Sequence, residues 1–283
     1  MKIYENERFA GERALFSSKN ISVRGSVFED GESPLKESCG VVLDSCSFVW
    51  KYPLWYCRDV RAEKITLKET ARSGIWYTHG IEISDSVIEA PKTFRRSSGI
   101  KLSHVTMLNA SETLWSCRDV TLTDVVARGD YLGMNSENLT VDRLTLSGNY
   151  FLDGAKNVTV RNSVLISKDA FWNAENVTVY DSVIVGEYLG WNSKNVKLVR
   201  CKIESNQGMC YMDGLTLIDC ELVNTDLAFE YSHVEADICS SVDSIKNPLS
   251  GKIIADEIGE IIMEDERVDT SLTEIIERKK NEG

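Results

Sequence analysis

Five of the six tryptophans, Trp55, Trp76, Trp115, Trp172 and Trp191, stand at equivalent places in a repeating sequence. Arg95, Met134 and Asp153 occupy the same column on other repeats. Aromatic rings beside Arg, Asn, Asp and Tyr suit sugars, whose C–H faces lie on the rings while hydroxyls take directional hydrogen bonds. The candidate carbohydrate-binding set is Trp55, Trp76, Tyr77, Trp115, Asn135, Trp172, Asn173, Trp191 and Asn192, with Tyr131, Tyr150 and Tyr188 as a rim. The candidate catalytic residues are Asp153, Arg95 and Arg96. Glycoside hydrolysis uses two carboxylates roughly 5–9.5 Å apart. Asp153 is the only carboxylate in the column, and Asp169 and Glu187 lie outside it. A β-elimination would instead need a base and neutralisation of a uronate, roles open to Arg95 and Arg96 with Asp153 in support.

The elements that must position these groups come from a repeat. Asn138-Leu139-Thr140-Val141, Asn157-Val158-Thr159-Val160, Asn176-Val177-Thr178-Val179 and Asn195-Val196-Lys197-Leu198 follow one another at 19 residues. Extending the register gives apolar anchors Ile21, Val41, Val60, Ile81, Ile100, Val120, Leu139, Val158, Val177, Val196, Leu215 and Val234. Each unit opens on Asn, Asp or Gly, alternates apolar and polar residues as a strand does, and reaches a small residue such as Ser26, Cys46, Ser182 or Cys220. No unit has room for a ten-residue helix. The pattern predicts an all-β fold, a single-stranded parallel β-helix of about twelve coils of ~19 residues. A short leucine-rich repeat is the rival, but its Leu scaffold is missing.

Residues 1–242 are expected to form the β-helix with its N-terminal cap. Residues 243–283 are expected to form a C-terminal cap of strands and a short helix, opened by Ser271-Leu272-Thr273-Glu274 and running through Lys280. Four sequons, at Asn20, Asn138, Asn157 and Asn176, fall on the coil turn, where an inward Asn ladder is the expected arrangement. The column N-terminal to the tryptophans holds only apolar residues or Gly, whereas Arg95 and Asp153 would be costly inside. The tryptophan column is therefore expected to face out, the alternative being a stacked aromatic core with Arg95 and Asp153 as exceptions. An outward column predicts that Arg95→Ala and Trp115→Ala weaken ligand binding and leave the fold intact.

A net charge of −12 disfavours nucleic acid and anionic membranes as partners. No apolar run approaches the ~18 residues of a membrane helix. The start, Met1-Lys2-Ile3-Tyr4-Glu5, lacks the apolar core of a secretory signal, so a cytoplasmic setting is expected. Eight cysteines contain no CxxC, and His79, His104 and His233 form no ligand constellation, so neither metal nor cofactor is expected. Buried free thiols are the expected state of the cysteines.

Several segments resemble an uncharacterised bacterial family: Phe9-Ala10-Gly11-Glu12-Arg13-Ala14-Leu15-Phe16, Gly31-Glu32-Ser33-Pro34-Leu35-Lys36-Glu37-Ser38 and Trp50-Lys51-Tyr52-Pro53-Leu54-Trp55-Tyr56-Cys57. Ala90-Pro91-Lys92-Thr93-Phe94-Arg95-Arg96 and Tyr188-Leu189-Gly190-Trp191-Asn192-Ser193 do so too. The resemblance covers essentially the whole chain. That family is a domain of unknown function grouped with the pectin-lyase-like right-handed β-helices and sometimes labelled a hydrolase. The resemblance implies right-handed coiling and a bacterial source. The Asn-Thr-Asp, Asp-Asp and Arg-Ile-Lys patterns of pectin-active relatives are missing, so it supplies no activity. Two functions stand: a hydrolase or lyase acting on an oligosaccharide along the Trp/Arg/Asp strip, or a non-catalytic β-helix that binds a sugar or another protein on the same face.

Overall fold

The computed structural model describes residues 1–278. They form two compact units that divide between Ser147 and Gly148. Each unit is a parallel β-solenoid.

In the first unit the strands Lys2–Glu5, Lys19–Arg24, Cys39–Asp44, Arg58–Glu63, His79–Ile88, Ser98–Met107, Arg118–Arg128 and Glu137–Ser147 stack in that order. All pair parallel, with Ile21, Val41, Val60, Ile81, Ile100, Val120 and Leu139 in one register. In the second unit the rungs are Lys156–Arg161, Glu175–Tyr180, Lys194–Val199, Asp213–Val223, His233–Ile238, Ser250–Ala255 and Thr273–Glu277. Every anchor read from the repeat is buried. Each such Val, Ile or Leu contributes roughly 1.5–3 kcal/mol, which offsets the entropy lost in ordering the rungs.

The opening Asn, Asp or Gly marks a corner where the backbone turns left-handed. Asn20, Asp59, Asp119 and Asn138 have φ of 52–59°, a region these residue types tolerate best. The small residues close a second corner. Ser26 Oγ accepts from Glu7 N at 3.0 Å, Ser86 Oγ from Ile65 N at 3.0 Å and Ser182 Oγ from Ser163 N at 3.0 Å. Each satisfies an amide of the coil before it. This is why Ser recurs there, while Cys in the same column fills space.

Eight and seven rungs exceed the expected twelve coils. The additional rungs were hidden because their inward positions carry the wrong residues or the wrong spacing. Lys2 and Tyr4 stand opposite Ile21 and Val23, so the first rung has no apolar alternation. Gly251 pairs with Val234 and Thr273 with Gly251, offsets of 17 and 22 rather than 19. At the last rung Glu277 stands opposite Ala255. Charged residues at inward register positions discourage further strand addition.

The expected helix at Ser271–Glu274 is a single 3-10 turn, Thr270–Leu272, capped by Asp269, whose carboxylate accepts from Ser271 N at 3.0 Å. The chain then extends as the strand Thr273–Glu277. β-Branched Thr273, Ile275 and Ile276 lose little as a strand and gain a ladder with Gly251–Ala255. The rest of the expected helix, beyond Arg278, lies outside the described residues.

Candidate functional site: an outward aromatic column

The third side of each coil alternates inward and outward. Leu54, Ile75, Phe94 and Leu114 are buried, while their successors Trp55, Trp76, Arg95 and Trp115 are half-buried and point away from the core. Ile75–Trp76 and Phe94–Arg95 form a short parallel ladder, and Arg95 bridges to Trp115. Backbone pairing therefore sets these side chains one rung apart.

That spacing suits ring stacking. Trp55 stacks on Trp76 at 5.3 Å with planes 8° apart. The Arg95 guanidinium lies 4.8 Å from the Trp76 ring centre and 4.7 Å from that of Trp115. Trp115 is followed by Tyr131 at 6.4 Å. The indole N–H groups are also engaged: Trp55 donates to Ser73 O at 2.5 Å and Trp76 to Lys92 O at 2.8 Å. Glu112 holds Arg95 at 3.3 Å and Lys92 at 3.0 Å. Arg95 Nε is buried with no partner among the described residues. In this unit the faces of Trp76 are occupied by Trp55 and Arg95, and ring edges rather than faces meet solvent.

The next residue of each coil is a third left-handed corner. Tyr56, Tyr77, Arg96, Ser116 and Asn135 there have φ of 49–57°. Tyr56 stacks on Tyr77 at 4.8 Å, and Arg96 and Asn135 are exposed. Asn at these corners thus has a backbone reason to be present, independent of any ligand.

The second unit carries the column differently. Trp172 and Trp191 are again half-buried, and Trp191 donates to Gln207 O at 2.6 Å. Asn173 and Asn192 project from the corner and form a directional ladder. Asn173 Nδ2 donates to Asp153 Oδ1 at 3.1 Å, and Asn192 Nδ2 donates to Asn173 Oδ1 at 2.8 Å. On the following rungs the same corner holds Tyr211, 5.0 Å from Trp191, and then Tyr231, 5.3 Å from Tyr211. Here a cavity of about 610 Å³ opens, lined by Asn192, Tyr211, Tyr231, Leu249, Arg267 and Val268. That volume is in the range of small-molecule sites.

One wall of the cavity comes from outside the repeat. Asp265 accepts from the Tyr231 hydroxyl and from Arg267 Nη2 at 2.6 Å, and Arg267 Nη2 also donates to Tyr231 at 3.1 Å. The Arg267 guanidinium and then the Tyr231 hydroxyl hold the Asp265 carboxyl well below the usual carboxylate range. The same hydrogen bond to Asp265 pushes the Tyr231 phenol up. Near Asp153, Asp169 is buried, and desolvation raises its carboxyl despite a bond from Tyr150.

Of the candidate catalytic residues, Arg95 and Arg96 belong to the first unit and Asp153 to the second. Arg95 is committed to two indoles and Glu112, and Asp153 to Asn173. Among the described residues no group of three His, Cys, Asp or Glu could hold a metal ion. The coil-turn asparagines form ladders, Asn176 to Asn157 at 3.1 Å and Asn195 to Asn176 at 3.1 Å, but these are exposed, not inward as expected. The adjoining anchors Val158, Val177 and Val196 take the inward direction, so alternation turns the corner side chains out.

Sequence reasoning named Asn192 and missed Tyr211, Tyr231 and Arg267. Tyr231 had a signal, since it repeats the corner of Asn192 and Tyr211. Arg267 had none, because it reaches the site from beyond the periodic region.

Three solved structures show how far likeness extends. HetL, a pentapeptide repeat protein from the cyanobacterium Nostoc, is 12% identical over 79% of this chain and 92% of its own, with a TM-score of 0.31. The A-module of the Azotobacter vinelandii mannuronan C-5 epimerase AlgE4 is 11% identical over 97% and 88%, with a TM-score of 0.29. PfbA, a surface adhesin of Streptococcus pneumoniae, is 11% identical over 86% and 71%, with a TM-score of 0.33. None of these carries an argument about function. No curated protein matches the chain. The match that does identify it is to a family model covering residues 2–276, and the chain belongs to that family, DUF3737, described as a protein of unknown function.

Proposed function

We propose that the protein is a non-catalytic carbohydrate-binding solenoid, and that its second unit holds an oligosaccharide along Trp172, Asn173, Trp191, Asn192 and Tyr211. The observation that carries this reading is the amide ladder beside half-buried aromatic side chains, leading into a cavity of about 610 Å³. Rings and amides at rung spacing offer apolar contact and directional hydrogen bonds to successive sugar units. The first unit's column supports a structural role, because its rings and Arg95 satisfy one another. Right-handed coiling of the pectin-lyase-like kind is part of the proposal, in line with the strong preference of parallel crossovers. A bacterial, cytoplasmic setting is also part of it, supported by eight cysteines that are all free thiols.

Calorimetric titration with a panel of neutral and acidic oligosaccharides tests the reading. Binding that Trp172→Ala weakens supports it, and silence across the panel overturns it. One observation favours a hydrolase as the second reading: buried Asp169, whose carboxyl is raised by desolvation, has Asp153 as a second carboxyl group beside it. An acid and a carboxylate in one site are what glycoside hydrolysis requires. Release of reducing sugar that Asp169→Asn abolishes would establish that reading instead.

A further inference from the structure

The polar ladder of the second unit has a direction and an end. Asn192 gives its amide N–H to Asn173, and no side chain of the described residues donates to its own Oδ1. The next corner holds Tyr211 in place of another amide, so the ladder stops with an unmatched acceptor at the cavity. Across the same cavity stands Arg267. Its Nε and Nη2 are held by Asp265 and Tyr231, while Nη1 carries no partner among the described residues. The Tyr211 ring lines the same cavity, 44% exposed and the most open aromatic of the second unit's column. Leu249 and Val268 supply apolar contact, and Val268 is itself buried.

We infer that this cavity is a terminal subsite for one neutral sugar ring at the end of a glycan, a proposal that rests on the strip-binding reading above. The ring lies on Tyr211. One hydroxyl donates to Asn192 Oδ1 and another accepts from Arg267 Nη1. A neutral ring fits better than an anion because Asp265 already neutralises Arg267, and a second carboxylate would face Asp265 unpaired. The segment carrying Asp265, Arg267 and Val268 closes the strip here, so the chain end is recognised and an internal sugar is not.

The test uses the full-length protein and a neutral oligosaccharide panel, with methyl glycosides of glucose, galactose, mannose and N-acetylglucosamine as competitors. Tyr211→Ala and Asn192→Gly should each weaken oligosaccharide binding about tenfold or more. Glycine keeps the left-handed corner at Asn192, and thermal unfolding checks that both variants fold. The methyl glycoside matching the terminal sugar should displace the oligosaccharide from the wild type and not from Tyr211→Ala. If both variants bind within about twofold of wild type while Trp172→Ala loses binding, the terminal subsite is overturned and the strip stands. If the wild type binds no oligosaccharide, both readings fall. A uronate-terminated ligand preferred over its neutral counterpart overturns the assignment of a neutral ring.

Discussion

Replacing Arg95 with alanine separates a structural guanidinium from a ligand-facing one. The side chain is 25% exposed and lies between Trp76 and Trp115, with Glu112 at 3.3 Å. A cation–π contact is worth about 0.5–1 kcal/mol when exposed and about 2 when desolvated, so two half-buried contacts suggest about 2 kcal/mol. The part-exposed ion pair adds at most about 1 kcal/mol. Arg95→Ala should therefore cost about 2–3 kcal/mol, contrary to the expectation that an outward column can be altered with the fold untouched. Arg95→Lys keeps the ion pair and loses the planar stack, so it should recover less than half of the loss. Urea unfolding followed by tryptophan emission reads both the stability and the environment of Trp76 and Trp115. An Arg95→Ala midpoint equal to wild type, with unchanged emission, would refute the stacking argument. It would also return Arg95 to the list of groups free for chemistry.

Other consequences can be checked with ordinary assays. Asn176→Ala should destabilise by about 1–2 kcal/mol, combining the left-handed penalty with lost ladder bonds. Asn176→Gly should lose only part of that, as measured by urea midpoint. Phe48→Ala opens the stacked column of Phe9, Phe28 and Phe48, in which neighbouring rings are 4.8 and 4.5 Å apart. It should cost about 3–5 kcal/mol in the same assay. Burial pushes the Cys57, Cys117 and Cys210 thiols up to about 12, so they stay protonated at pH 8. A disulfide reagent at that pH should label exposed Cys239 first and reach these three only after unfolding. Asp265→Asn should bring the raised Tyr231 phenol down toward its ordinary value of 10.0, visible by ultraviolet titration. Because the Asp265 carboxyl is depressed, its contribution is fully present above the unfolded value of 3.8 and is lost as pH falls through the lower folded value.

What could be read from the sequence was whatever repeats. Ile21 to Val234 declared the solenoid because each anchor must meet its equivalent one rung away, which forces a period. The outward direction of Trp55, Trp76 and Trp115 followed from the charge of Arg95 in their column and the apolar purity of the column beside it. Residues outside the period were not legible. Lys2 and Tyr4 occupy inward register positions that the alternation rule assigns to apolar side chains, and Thr273 arrives 22 residues after its partner. Stacking was also hidden, since a column of Trp and Arg does not say whether its rings meet a ligand or one another. Rung spacing decides that, and it shows only in the folded position of Arg95 between two indoles. The cavity at Tyr211 depends on Arg267, which no periodic argument reaches.

Native mass spectrometry of the protein with a neutral oligosaccharide panel, followed over hours, addresses the central claim most directly. The account predicts a one-to-one complex carrying the intact ligand mass, with Tyr211→Ala and Trp172→Ala depleting it. A complex that decays to hydrolysed or unsaturated fragments would contradict the non-catalytic reading, and an absence of any complex would contradict the binding strip itself.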